Sequence, residues 1–191
     1  MEKYNHADDF EEKKTGLFRE MLGFLIYVAV VVGITFCIIT FVGQRTYVSG
    51  SSMENTLSHG DNLIVDKLSY RFRDPERFDI IVFPFRYAAK TYYIKRIIGL
   101  PGETVQIQDG DIYIDGEILN ESYGREVMKN AGLAADPITL GEDEYFVLGD
   151  NRNDSTDSRD PSVGVIHRDE IIGRAWVRIW PLSEIGVLKH Q

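Results

Sequence analysis

Thr104-Val105-Gln106-Ile107-Gln108-Asp109-Gly110-Asp111-Ile112-Tyr113-Ile114-Asp115-Gly116 is the stretch that decides the fold. Two β-rich runs, Thr104 to Gln108 and Ile112 to Ile114, flank Asp109-Gly110, a dipeptide that favours a tight hairpin turn. Asp115-Gly116 offers a second turn directly afterwards. Similar runs lie on both sides. Upstream are Asn62 to Asp66, then Asp79 to Phe83 stopped by Pro84, then Thr91 to Gly99 closed by Gly99 and Pro101. Downstream are Tyr145 to Leu148 and Ile171 to Trp180. Short runs separated by turn residues predict a mainly β domain of folded antiparallel sheets or a barrel. From Arg45 onward no amphipathic helix is legible. Tyr123 to Pro137 is the least strand-like segment and reads as a surface insertion.

The region before the strands has a different character. Met21 to Gln44 carry no charged side chain, and Leu22 to Val42 is an apolar run of 21 residues. As a helix this run is about 30 Å long, the thickness of a bilayer's hydrocarbon core. It is too long for an ordinary signal-sequence core, and no A-x-A-like cleavage site follows it, so a retained anchor is expected. Lys3, Lys13, Lys14 and Arg19 precede the span, whereas only Arg45 follows it closely and the next basic residue is Lys67. That asymmetry predicts an inside N-terminus and an outside C-terminal domain. The expected division is a cytoplasmic, polar and flexible tail at 1–20, a transmembrane helix at 21–44, and an extracytoplasmic β domain at 45–191.

The formal net charge of −9 and the lack of a basic run argue against nucleic-acid binding. The one cysteine, Cys37, lies inside the apolar span. It cannot form an internal disulfide or a multi-cysteine metal site, and reads as a small helix-packing or lipid-facing residue.

Three segments could carry chemistry. Gly50-Ser51-Ser52-Met53-Glu54-Asn55-Thr56-Leu57 sits just beyond the span. Its small residues suit a nucleophilic serine beside backbone N–H donors, or equally a plain Ser/Gly linker. In the strand around Lys95, Tyr93, Lys95 and Ile97 face one side, and Ile94, Arg96 and Ile98 the other. Each face therefore carries one cation, and one of the two is expected to be buried or paired. A buried lysine loses basicity and becomes a usable base; the alternative is a pair of surface charges on an edge strand. Gly149-Asp150-Asn151-Arg152-Asn153-Asp154-Ser155-Thr156-Asp157-Ser158-Arg159-Asp160 fails calcium-loop spacing, with Arg152 at the third position and no glycine at the sixth. It reads as an Asx-rich turn or as a buttress in which Asp157 pairs with Arg159 and Ser155 orients another group. His59 and His167 have no motif around them, His6 falls before the span, and His190 is close to the last residue, so no Ser-His-Asp triad is indicated. A Ser-Lys pair follows the same logic.

In this order, anchor, Ser52-Met53, Tyr93-Ile94-Lys95-Arg96 with Gly99-Leu100-Pro101-Gly102, and Gly149-Asp150-Asn151-Arg152 resemble bacterial type I signal peptidases, in the Gram-positive-like form. The likeness covers nearly the whole chain. Asn55 stands where the family has proline, and Phe78 in Arg77-Phe78-Asp79 where it has glycine. The resemblance implies a serine endopeptidase that removes signal peptides. Ser52 would be the nucleophile and Lys95 the general base. The Ser52 N–H and a group near Gly50 would hold the oxyanion. Ser155 would orient Lys95, while Asp157 and Arg159 brace the loop. Met53, Tyr93 and Ile94 would line shallow pockets for small side chains. It implies no cofactor and no metal. The implied partners are secretory preproteins and membrane lipid, with the enzyme in the cell membrane. Eight extended residues from Gln44 to Ser52 reach at most about 28 Å, keeping the site near the lipid. Phe83 and Phe85 could then dip into lipid, or belong to a barrel core. A self-cleaving Ser-Lys repressor is the nearest enzyme rival, but its Ala-Gly pair precedes the serine, and here Ala131-Gly132 follows it. A tethered binding module that lost activity is the non-enzyme rival.

Overall fold

Strong helix formers dominate the chain from His6 through Met21, and the apolar run follows without a proline. The computed structural model, which describes residues 6–37, 43–124 and 126–189, accordingly contains one long helix, α1 (His6–Cys37). Polar residues expected to form a flexible tail are thus helical from His6. Their Glu and Lys/Arg content supports a helix as well as a solvated tail does. Within α1, Arg19–Cys37 is long and apolar enough to cross a membrane. Side chains such as Phe24, Leu25, Val32 and Phe36 are exposed, as a lipid-facing helix requires.

Met1–Val42 and Gly43–Gln191 form two separate compact units. The second unit begins two residues earlier than the sequence suggested, because Gly43 and Gln44 already pair with Asp66 and Val65 in a sheet. Its strands are β1 (Gly43–Tyr47), β2 (Asn62–Asp66), β3 (Ile80–Pro84), β4 (Tyr92–Gly99), β5 (Thr104–Gln108), β6 (Asp111–Ile114) and β7 (Glu117–Ile118), followed by β8 (Ile138–Thr139), β9 (Glu144–Leu148), β10 (Ile166–His167), β11 (Gly173–Trp180) and β12 (Gly186–Val187).

Among the described residues these strands make two sheets. The larger runs β1-β2-β11-β3-β4-β9-β10, with β12 beside β11; the smaller runs β7-β6-β5-β8. All the pairings are antiparallel. The two Asp-Gly turns lie where the sequence puts them. Asp109, Gly110, Asp115 and Gly116 all have positive φ, the geometry that makes two-residue hairpin loops follow the strand twist.

β3 is apolar on both faces, and its alternation sorts side chains into two cores. Ile80 and Val82 join Leu63, Val65, Met53 and Ile94, whereas Ile81 and Phe83 join Ile97, Tyr145 and Val147. Phe83 is therefore core, not a lipid-dipping residue, and Phe85 stacks on Tyr93 at 4.6 Å between ring centroids. A third core lies under the smaller sheet, around Val105, Ile107, Ile112 and Phe146. The 123–137 segment contributes Met128 and Ala134 to it, so this insertion is packed by its own apolar residues rather than lying free on the surface.

Candidate active site

Three parts of the second unit converge on one cleft: the segment from Val48 to Met53, the first half of β4, and the loop after β9. The cleft has a volume of about 590 Å³. Ser52, Lys95, Met53, Tyr93, Ile94, Gly50 and Ser155 all contribute to its wall. Met53 and Ile94 are also buried core residues, so the floor of the cleft is the core itself.

Ser52 and Lys95 meet directly. The Lys95 Nζ is 2.7 Å from the Ser52 Oγ and 3.1 Å from the Ile94 carbonyl oxygen, to which it donates. Lys95 is only 3% exposed, and its Nζ lies 5.1 Å from the centre of the Tyr93 ring. Burial pulls its pKa down from 10.5 to about 8, against the opposing pull of the Asp157 and Asp150 carboxylates. Desolvation penalises the ammonium form, and the two carboxylates offset only part of that penalty.

Arg96, next along β4, is fully buried too. Both cations of the strand are therefore inside, where the sequence led us to expect one. Two devices make this tolerable. Arg96 forms a fork with Asp150, Nε to Oδ1 at 2.9 Å and Nη2 to Oδ2 at 2.7 Å, and also donates to the Phe78 carbonyl at 2.9 Å. Its guanidinium lies 3.5 Å from the centre of the Tyr123 ring. A guanidinium cannot shed its proton, so it needs such partners; Lys95 can, and among the described residues no carboxylate pairs with it. Asp150, Thr56 (2.5 Å from Asp150 Oδ2) and Tyr123 are parts of the site's frame that the sequence did not single out as a set. Their contacts span dozens of residues of chain, which no local pattern reports.

The loop after β9 is braced from within. Asp157 accepts from Arg159 Nε and Nη2, both at 2.8 Å, and from the Gly149 N–H at 3.0 Å. Arg159 also donates to the Arg152 carbonyl at 2.5 Å. Ser155 lines the same cleft, and among the described residues its buried Oγ makes no hydrogen bond. Gly50 lines the cleft too. Its N–H is occupied by His59 Nδ1 at 3.2 Å, so it shapes the cleft wall, with φ +106°, and offers no amide donor. His59 was missed because its partner is a backbone group nine residues away.

The two departures from the family pattern both fall at unusual backbone geometry. Phe78 holds φ at +70°, a conformation that glycine adopts freely, while its ring is buried 5.2 Å from Tyr123. The Glu54–Asn55 peptide is cis. Among the described residues, no group of three or more His, Cys, Asp or Glu is arranged to hold a metal ion.

The arrangement can activate a hydroxyl at the edge of an apolar-floored cleft. The chain is similar to known proteins. Residues 21–180 match the family described as signal peptidase, peptidase S26. A probable signal peptidase I-2 of Synechocystis sp. is 44% identical over 154 residues, covering 78% of this chain and 68% of that protein. Signal peptidase I T of Bacillus subtilis is 35% identical over 195 residues, covering 98% of each. The crystal structure of a signal peptidase I from Enterococcus faecalis is 37% identical, covering 53% of this chain and 97% of that one, with a TM-score of 0.46.

Proposed function

The chain belongs to the peptidase S26 family of signal peptidases and is a serine endopeptidase, and from that premise we propose that it cuts signal peptides from secreted preproteins with Ser52 as nucleophile and neutral Lys95 as base. The observation that carries the assignment is the 2.7 Å contact between Lys95 Nζ and Ser52 Oγ at a lysine whose burial brings its pKa to about 8. Neutral Lys95 takes the hydroxyl proton as Oγ attacks the scissile carbonyl. The carbonyl π pair moves onto oxygen and is held by the Ser52 N–H. The leaving amine departs with the proton from Lys95, and water then releases the acyl group from Ser52. Asp157 and Arg159 keep the loop after β9 in place. Met53, Tyr93 and Ile94 restrict the cleft to small side chains.

The apolar helix supports a membrane-anchored enzyme. The surplus of basic residues before the span supports an extracytoplasmic catalytic unit, with residues 1–20 on the cytoplasmic side. A protease added outside intact cells should then reach the β unit and leave the N-terminal residues untouched. Digestion of the N-terminal residues alone would reverse the topology.

The direct test uses the full chain in detergent or lipid with a panel of preproteins. Ser52→Ala and Lys95→Ala should each abolish processing while remaining folded. Lys95→Arg should fail as well, because arginine stays protonated. Normal cleavage by either folded alanine variant removes the dyad.

A further inference from the structure

One residue, Asn151, ties down the peptide planes on both sides of Ser52. Its backbone N–H donates to the Ser52 carbonyl at 3.0 Å. Its side-chain Nδ2 donates to the Ser51 carbonyl at 3.2 Å. Asn151 is buried, and its position is held by the tight seat of Gly149, where an added Cβ would stand 2.4 Å from the Ser52 carbonyl oxygen. The Ser51 carbonyl also accepts from the Glu54 N–H at 3.0 Å.

A trans peptide is planar, and its C=O and N–H point in opposite directions. The Ser51–Ser52 bond is not among the cis peptides of the described residues. Fixing the Ser51 carbonyl against Asn151 therefore aims the Ser52 N–H away from Asn151. Among the described residues that N–H has no acceptor, although Ser52 is only half-buried against the cleft. It is a donor left open at the nucleophile, where an oxyanion forms.

We propose that Asn151 is a positioning residue whose side-chain amide sets the direction of the oxyanion-binding Ser52 N–H. The proposal rests on the assignment of Ser52 as nucleophile. Asn151 itself touches no substrate atom. It acts through the Ser51–Ser52 peptide plane, and its effect is confined to species that carry an oxyanion. Loss of a whole oxyanion donor slows acyl transfer by about 10²–10³-fold; loss of its aim alone is expected to cost about 10–100-fold by the same reasoning.

The experiment compares two peptide probes on the full chain in detergent. One ends in an aldehyde at the position before the scissile bond. Ser52 Oγ adds to it, the proton passes to Lys95, and a hemiacetal oxyanion forms. The other has the same sequence with a reduced CH2–NH linkage, which fills the cleft and cannot form an oxyanion. Asn151→Leu, close in shape and without the amide, should bind the aldehyde about 10–100-fold more weakly and the reduced peptide within about twofold of the parent. Asn151→Ala should behave alike, and both variants should keep the alkaline rise in activity set by Lys95. Equal loss for both probes in both variants, or no loss for either, overturns the proposal. An aldehyde that binds the parent and Ser52→Ala equally well would instead overturn the assignment of Ser52.

Discussion

The pH dependence of cleavage follows from where Lys95 sits. Its pKa falls from 10.5 to about 8 because burial removes the water that would solvate an ammonium. At pH 7 about one enzyme in eleven then carries a neutral base, whereas an exposed lysine would give roughly three in ten thousand. Initial rates on a quenched fluorescent peptide, well below saturation, report kcat/KM of the free enzyme. They should rise about tenfold from pH 6 to 7, about fivefold from 7 to 8, and less than twofold from 8 to 9. The same shift has a cost in stability. Below pH 8 the lysine is protonated in both folded and unfolded chains, and the folded one bears the full desolvation penalty. Between pH 8 and 10.5 the unfolded chain binds more protons, so stability rises with pH across that window by about 3 kcal/mol. Lys95→Met should therefore be inactive, more stable at pH 7, and without the parent's lysine-linked gain of about 3 kcal/mol between pH 8 and 10.5, as read by denaturant titration of the two side by side. A rate that climbs tenfold per unit up to pH 9.5, or one that is flat from pH 6 to 9, would refute burial of the base as its activating device.

Three further substitutions probe the frame around the dyad. Gly149→Ala puts a Cβ 2.4 Å from the Ser52 carbonyl oxygen; the backbone must move, and kcat should fall by about 10²-fold or more, since such displacements near the reacting atoms cost that much. Unchanged turnover would mean the loop is not seated there. Asp150→Ala leaves the fully buried Arg96 without its fork, which should lower unfolding free energy by about 3–5 kcal/mol, and a loss below about 1 kcal/mol in chemical denaturation would contradict the burial. Phe78→Gly removes a left-handed penalty of about 1–2 kcal/mol, but loses a buried ring worth about 3–5 kcal/mol. Packing should win, leaving the variant about 2 kcal/mol less stable by thermal or chemical melting; a more stable variant would show that the backbone penalty dominates.

Features that depend on neighbours in sequence were legible. The hairpins at Asp109-Gly110 and Asp115-Gly116 could be read because positive φ at both turn residues restricts the residue types, and strands β2 and β5 were expected at their observed limits. Strand β1 was not legible. Gly-Gln-Arg-Thr-Tyr has no apolar alternation, since an edge strand needs none, and it directly follows an apolar run that draws the eye. The helical start at His6 was missed for a related reason: a charged segment suits a solvated tail and a helix alike. In the site, Ser52 and Lys95 were selected only by the order of their motifs. The roles of Asn151, Thr56 and Asp150 come from contacts formed when the loop after β9 packs against the nucleophile segment and β4, and sequence spacing does not encode those.

On the proposed mechanism, the adjacent Lys95 and Arg96 let one strand supply both a base and a strut. Both are taken out of water, and the difference lies in what meets them. Arg96 ends against the Asp150 carboxylate, the Phe78 carbonyl and the Tyr123 ring. Among the described residues Lys95 meets a hydroxyl and a carbonyl, and no carboxylate pairs with it. A residue that cannot lose its proton must be neutralised where it is buried. A residue that can lose it does so more readily if left unneutralised, and a neutral amine is what the proposed attack by Ser52 requires. Exchanging the two, as Lys95→Arg with Arg96→Lys, keeps the strand's charge and composition. It should still destroy both functions: the arginine would face Ser52 as a permanent cation, and the lysine would sit by Asp150 as a point charge unable to form the fork. The prediction is a double variant without cleavage at any pH from 6 to 10 and with reduced stability, and cleavage by it would show that position along β4, rather than the partners each cation meets, decides which one is the base.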